Sequence, residues 1–319
     1  MLENNKNLLI NGNKYYAQRA PAGGGGTFTP TTSYQYLTVD RFCQKITGTI
    51  TSPLVGASAT FPDTKSPWCS IWTGTTAVGS SISEQQRIEA DFGLELIGDY
   101  ISFLGFVTST SYSKATINIG YATVKDNHAV QTLLYTKDFT ITTDGVANTL
   151  TWNKIASLSS LISTGLYCEI VLSTPTNTAT SSTHRIGGMN LVRGRNATTA
   201  NILAARSLVD ELEYCQRYYR QISVPAGNIA GLTGMCQNTT YAYFSVPIGL
   251  RATAIVTFSG GLQLILGNSS LAITGVVGTL NCNYLITFGL TVASGLVAAQ
   301  SVALFASATT GYLHFTSEL

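Results

Sequence analysis

Between residues 84 and 175 the chain repeats one pattern: a short run of β-forming residues, then turn residues, at roughly ten-residue spacing. The runs are "QQRIEADF", "YISFLGFVTS", "KATINIGYATV", "TLLYTKDFTIT", "TLTWNKI" and "YCEIVLST". Short, regularly spaced strands of this kind build a β-sandwich or jelly roll. Upstream, "YLTVDRFCQKITG" at 36–48 alternates apolar and polar residues as a half-buried strand does. "GDYISFLGFVTSTS" alternates poorly, which predicts a strand covered on both faces. Residues 52–82 are rich in Pro, Ser, Gly and Thr and read as loop-like.

The period then changes. From Ser207 onward, Leu208, Leu212, Cys215 and Tyr219 recur at spacings of four, three and four, one apolar stripe on a helix. Ser207 suits the N-cap, and Asp210 and Glu211 fall in the first turn, where the helix dipole favours negative charge. Arg217 and Arg220 stand near the other end, and Val224-Pro225 breaks the pattern. Beyond it the strand pattern resumes, from "YAYFSVPI" to "GYLHFTS". The reading is an all-β chain: a jelly-roll sandwich over 1–200, a helical joint over 201–221 carrying Leu208, Leu212, Cys215, Arg217 and Tyr219, and a sandwich-like β domain over 222–319.

Charge restricts function further. Charged residues make up 11% of the 319, against roughly 25% in ordinary globular proteins. The net charge of +2 is too small to suggest a nucleic-acid partner or an anionic membrane surface. No run approaches the roughly 18 apolar residues of a membrane-spanning helix, and no secretory leader pattern is visible. The six cysteines form no CxxC pair and read as thiols of a protein made in a reducing cytoplasm. Residues 221–319 hold only two charged side chains, Arg251 and Glu318. Such a region stays in solution most simply by burying surface against copies of itself.

Four motifs stand in order along the chain: "NLLINGN…QR" from Asn7, "VDRF" at 39–42, "QQRIE" at 85–89 followed by "LIGDYISFLGFVTS", and "ELEYCQRYY" at 211–219. Together they resemble a family of bacteriophage tail-fibre and related virion proteins. The resemblance implies a jelly roll of the carbohydrate-binding-module type, closed by the helical motif and followed by a variable β-region. Relatives often carry Trp where Phe42 stands and "W-x-V-K-S" where this chain has "LGFVTS", and no ligand contacts are carried over. Three-fold symmetry and a place in the virion, after synthesis in the bacterial cytoplasm, are likewise implied by the resemblance.

Catalytic patterns are missing. His128, His184 and His314 lie far apart, and there is no GxSxG, HExxH, P-loop or GxGxxG in context. Glu84, Glu89, Asp91 and Glu95 are dense enough for a glycosidase pair, yet Glu89 and Asp91 read as one polar strand face. No catalytic residue, metal ligand or cofactor is assigned. A surface that stacks on pyranose rings needs aromatic faces ringed by neutral hydrogen-bonding groups. Trp68 and Trp72 in "SPWCSIWTG", Tyr112 in "SYS", and Tyr241 and Tyr243 in "NTTYAYFS" are the candidates. For the two tryptophans, packing in the sandwich core is the competing reading.

The expectation is therefore a non-enzymatic virion fibre, a tail fibre or receptor-binding protein, that recognises host-surface glycan as a homotrimer. The alternative is a structural virion component, a head decoration or a collar or neck fibre, attached to other virion proteins. The chain opening directly on the sandwich motif keeps this alternative in view.

Overall fold

The computed structural model describes residues 7–10, 14, 28–37, 41–58, 61, 69–156, 158–175, 179–194, 208–250, 255–282 and 285–317. The chain divides into two compact units, Met1–Leu212 and Glu213–Glu318.

The first unit is a jelly-roll sandwich of two antiparallel five-stranded sheets. One sheet runs in the order β1 (Phe42–Thr47), β4 (Ser81–Ile88), β9 (Leu166–Pro175), β6 (Tyr112–Val124), β7 (Asn127–Thr140). The other runs β2 (Ile50–Ser58), β3 (Cys69–Thr76), β10 (Ala179–Arg193), β5 (Ile101–Ser109), β8 (Asn148–Ile155). Both sheets send alternate side chains into one core. It includes Phe42, Ile82, Ile117, Cys168 and Ile170 from the first sheet and Val55, Trp72, Phe103, Leu150 and Ile186 from the second. Each fully buried side chain of this size contributes about 1.5–3 kcal/mol.

β5 is buried along its whole length, as its broken alternation predicts. Ile101, Phe103 and Val107 face the main core. Leu104 and Phe106 join Phe61, Cys69 and Val192 in a separate cluster.

Three sequence expectations change here. The loop-like stretch 52–82 holds β2, β3 and the start of β4. Its proline, Pro53, sits where the β2–β3 register shifts between Thr51 and Leu54, a bulge that needs no ladder bond from it. The long strand β10 escapes notice in the sequence because its register against β5 shifts between Ile186 and Met189, across Gly187-Gly188. A two-residue period cannot pass through that bulge. Asp91 belongs to a short helix, α1 (Ala90–Leu94), and pairs with Lys125 at 3.0 Å, so it shares no strand face with Glu89.

The N-terminal motif is clamped to the sandwich. Asn7 Nδ2 donates to Met189 O (2.9 Å), and its Oδ1 accepts from the Leu191 and Leu9 amides. The Gln86 amide exchanges two 2.6 Å bonds with the Ile10 backbone, imitating a strand pair. Lys14 is fully buried, with its ammonium on Glu84 of β4, Ser70 of β3 and the Ile186 carbonyl of β10. The N-terminal and "QQRIE" motifs thus fasten one end of the chain to both sheets.

The helix α2 runs Leu208–Gln216, the longest among the described residues, with Asp210 and Glu211 in its first turn. The boundary between the two units falls within it. Cys215 is buried, as the stripe predicts, while Leu212 is only half-buried and Glu211 is buried instead. The side chain of Leu208 and the whole of Ser207 lie outside the described residues. Tyr219 is not helical. It opens β11 (Tyr219–Val224), because the backbone there pairs with β19 (Gly311–Thr316) in the register Tyr219↔Thr316. The Ser317 amide donates to Tyr218 O at 2.7 Å, and Ser317 Oγ donates to Arg217 O at 2.9 Å. The "QRYY" segment therefore holds the last strand of the chain.

The second unit consists of a three-stranded sheet, β11-β19-β14 (Ile255–Ser259), and a closed six-stranded barrel. Around the barrel the order is β12 (Ile229–Cys236), β13 (Tyr241–Val246), β17 (Leu285–Val292), β16 (Ser269–Cys282), β15 (Leu262–Leu266), β18 (Ser301–Ala306). Pairing of β12 with β18 closes it, which leaves no open barrel edge. Phe244 and Phe288 stack at 5.9 Å, and Phe315 meets Phe288 edge-on at 5.6 Å, within one apolar core.

Candidate functional site

Of the five aromatic candidates, two face inward. Trp72 is 2% exposed and packs in the sandwich core. Tyr112 is fully buried, its hydroxyl 3.2 Å from Ser80 Oγ and its ring 4.5 Å from that of His184. Neither can stack on a ligand. In "SPWCSIWTG" the strand β3 starts at Cys69, and alternation from there turns Trp72 inward. Trp68 lies outside the described residues.

The inward cluster has its own chemistry. Ser109 Oγ accepts from the Ser111 and Tyr112 amides at 3.2 and 2.7 Å and sits 3.1 Å from His184 Nδ1. With both lone pairs used, the hydroxyl hydrogen goes to Nδ1, which puts the imidazole proton on Nε2. Burial lowers the His184 pKa from 6.5 to about 3. An unfolded chain therefore binds this proton at a pH where the folded chain does not. The stability is present above about pH 6.5 and is lost as the pH falls toward about 3. The whole window is worth up to about 5 kcal/mol. Urea midpoints of the wild type should fall between about pH 6.5 and 4.5, before most carboxylates titrate. His184→Gln, though less stable throughout, should lose that slope. An equal slope in the variant would show that other groups carry it.

Three of the carboxylates weighed for glycoside cleavage have separate surroundings. Glu84 is buried against Lys14. Glu89 is buried at the start of α1, and Asp91 pairs with Lys125 on the surface. A buried group that sequence reasoning missed is Glu169 on β9. It takes the Tyr34 hydroxyl on one oxygen and Asn118 Nδ2, at 3.1 Å, on the other. The Lys45 ammonium lies 4.2 Å from the Tyr34 ring centroid. Its polar capacity is turned inward on its neighbours. Among the described residues no group of three His, Cys, Asp or Glu side chains is placed to hold a metal.

Tyr241 and Tyr243 are the candidates that reach the surface. On β13 the inward residues are Ala242, Phe244 and Val246, so the tyrosines stand on the outer barrel face. Register sets Tyr243 between Met235 of β12 and Gly289 of β17, with Val277 of β16 beyond. Gly289 makes the arrangement possible: a Cβ there would lie 2.1 Å from Tyr241 Oη. The Tyr241 ring instead lies across that bare backbone, and its hydroxyl donates to Val277 O at 3.4 Å. Tyr243 meets it edge-on, centroids 4.4 Å apart at 84°. Burial and the neighbouring Tyr243 raise the Tyr241 pKa, so its phenol stays protonated at neutral pH.

Around the two rings the surface is neutral. Thr274 and Thr291 hydroxyls are 3.1 Å apart, Ser245 and Thr287 hydroxyls 2.9 Å. Tyr243 is 38% exposed, Met235 62% and Val277 42%. The result is a rigid aromatic floor with apolar shoulders and paired hydroxyls, and no charged side chain on the strands that build it.

No family model matches the chain, and no curated protein does. Among solved structures the chain is similar to TmCBM61 in complex with β-1,4-galactotriose, at 9% identity over 59% of this chain and 99% of that one, with a TM-score of 0.34. It is also similar to the family 11 carbohydrate-binding module from Clostridium thermocellum in complex with a β-1,3-1,4-mixed-linked tetrasaccharide, at 9% identity over 49% and 91% of the two chains, TM-score 0.29. A third similarity is to the enzymatically active domain of bacteriophage CBA120 tailspike protein 4, at 14% identity over 48% of this chain and 19% of that one, TM-score 0.34.

Proposed function

We propose that this protein is a non-enzymatic bacteriophage virion fibre, a tail fibre or receptor-binding protein, that recognises host-surface polysaccharide as a homotrimer. The virion assignment rests on the four ordered motifs, among which Asn7 and Lys14, Glu84 and Gln86, and Arg217 and Tyr218 make structural contacts between distant segments. The observation that carries glycan recognition is the Tyr241–Tyr243 pair, held rigid over Gly289 and surrounded by hydroxyls and apolar shoulders. A pyranose ring has an apolar C–H face and an equatorial belt of hydroxyls, and this surface offers a partner for each. The absence of charge from the platform favours neutral sugar units.

Binding here is passive. Incubation with bacterial surface polysaccharide should release no oligosaccharide. Release that Glu89→Gln abolishes would contradict the non-enzymatic reading. Imaging of virions carrying a labelled copy tests the place in the particle. Label at the distal end of a tail appendage is the expected result, and label on the head or neck would favour attachment to other virion proteins instead.

A further inference from the structure

The N-terminal unit carries a second neutral pocket, on β2, β3 and β10, built differently from the barrel face. Strand β3 is flanked there by two bulges. The register against β2 shifts between Thr51 and Leu54, and the register against β10 shifts between Ala179 and Ser182. Both irregularities fall beside Gly74. Each bulge holds a serine in the left-handed region, Ser52 at φ 50° and Ser181 at φ 59°, and Gly74 itself has φ 153°. Left-handed backbone at a residue other than glycine is costly, and such strain tends to be kept where it shapes a site. Around the two bulges lies a cavity of about 300 Å³, at the small end of ligand sites.

Its lining is chemically uniform. Thr51, Ser52, Thr73, Thr75, Ser181 and Thr183 line it with hydroxyl side chains, which make no hydrogen bond among the described residues. Ser182, by contrast, is committed, donating to Gly74 O at 2.6 Å, and so fixes the floor. No charged or aromatic side chain takes part. Charged ligands would find no counter-ion, and flat apolar ones would find no face. Hydroxyls both donate and accept, so a ring of them matches a compact ligand that does the same.

We infer that this pocket is a binding site for a single uncharged sugar unit, recognised through hydrogen bonds alone. It is independent of the barrel platform, which recognises the sugar's apolar face. Saturation-transfer NMR with the full-length chain and the free hexoses D-glucose, D-galactose and D-mannose tests the inference. At least one hexose should receive saturation. Thr73→Val, Thr75→Val and Thr183→Val keep the β-branched shape and remove one hydroxyl each. Each should weaken binding about five- to tenfold, the loss of one neutral hydrogen bond, and the triple variant should abolish it with the melting temperature unchanged. Tyr243→Ala, which removes the barrel platform's own share, should leave a hexose signal that still responds to the three valines. No saturation of any hexose, a signal indifferent to the three valines, or a signal lost with Tyr243→Ala would each overturn the inference. Loss of polysaccharide binding in Tyr243→Ala with the hexose signal retained separates the two sites.

Discussion

Glu84→Ala should destabilise the N-terminal unit by about 3–5 kcal/mol, the cost of leaving a buried charge without its partner. Lys14 and Glu84 are both wholly shielded from solvent. The ammonium also touches Ser70 Oγ at 3.3 Å and the Ile186 carbonyl at 2.7 Å, and lies 5.0 Å from the Phe42 ring centroid. Burial pushes the Lys14 pKa down, and the Glu84 carboxylate pushes it back up. Without Glu84 the main effect that opposes burial is gone. The chain must then bury a bare ammonium, deprotonate it, or expel the N-terminal segment from between the sheets. Lys14→Met with Glu84→Leu removes both charges and should recover most of the loss, since an apolar pair of similar size packs without a desolvation cost. The readout is direct. Trp68, Trp72 and Trp152 all belong to the first unit, so indole fluorescence in urea follows that unit. A cost below about 1 kcal/mol for Glu84→Ala would mean the pair is hydrated or dispensable.

The second large effect concerns assembly. Residues 221–319 carry two charges. On this unit, apart from the residues of the tyrosine platform, Ile229 and Ile255 are 59–68% exposed, and Leu285 and Val297 are 40–49% exposed. Burying about 1,000 Å² of apolar surface per subunit would contribute roughly 25 kcal/mol before the entropy of association is subtracted. Burial on this scale favours a tight assembly, and the resemblance to phage fibres implies that it is a trimer, so light scattering should give about three times the chain's 33.9 kDa at low micromolar concentration. The proposed trimer would hold three sugar sites side by side and convert weak contacts into avid ones. An assembly broken by Ile255→Asp should lose on the order of a hundredfold or more in apparent affinity for immobilised polysaccharide. A stable monomer that binds as tightly as the assembly would contradict this.

What could be read in advance follows a physical division. Strand content, the helix near 208–216 and the two-sided burial of β5 depend on local periodicity, and periodicity is written in consecutive residues. The inward turn of Trp72 and Tyr112 depends on where β3 and β6 begin, and a one-residue difference in strand start exchanges the two faces. The strand at Tyr219 was hidden because the helical stripe continues through it. Pairing with β19, about a hundred residues later, overrides the local preference. Barrel closure, the Lys14–Glu84 pair and the Thr/Ser pocket all join residues distant in sequence, and no local pattern announces them. Tyr241 and Tyr243 were legible as a pair. The part played by Gly289, 46 residues away from Tyr243, was not.

Glycan recognition on the outer face of β13 is the proposal from which the function follows. An array of purified bacterial surface polysaccharides, probed with the wild-type assembly and with Tyr241→Ala/Tyr243→Ala, tests it most directly. Both residues stand on the outer face of the barrel, so the variant should fold and assemble as the wild type does. Losing two stacking surfaces should cost at least tenfold per subunit, multiplied across the assembly. The wild type should bind a subset of neutral polysaccharides, and the folded double variant should lose that binding. Equal binding by the two proteins, at the same spots and strength, would contradict it.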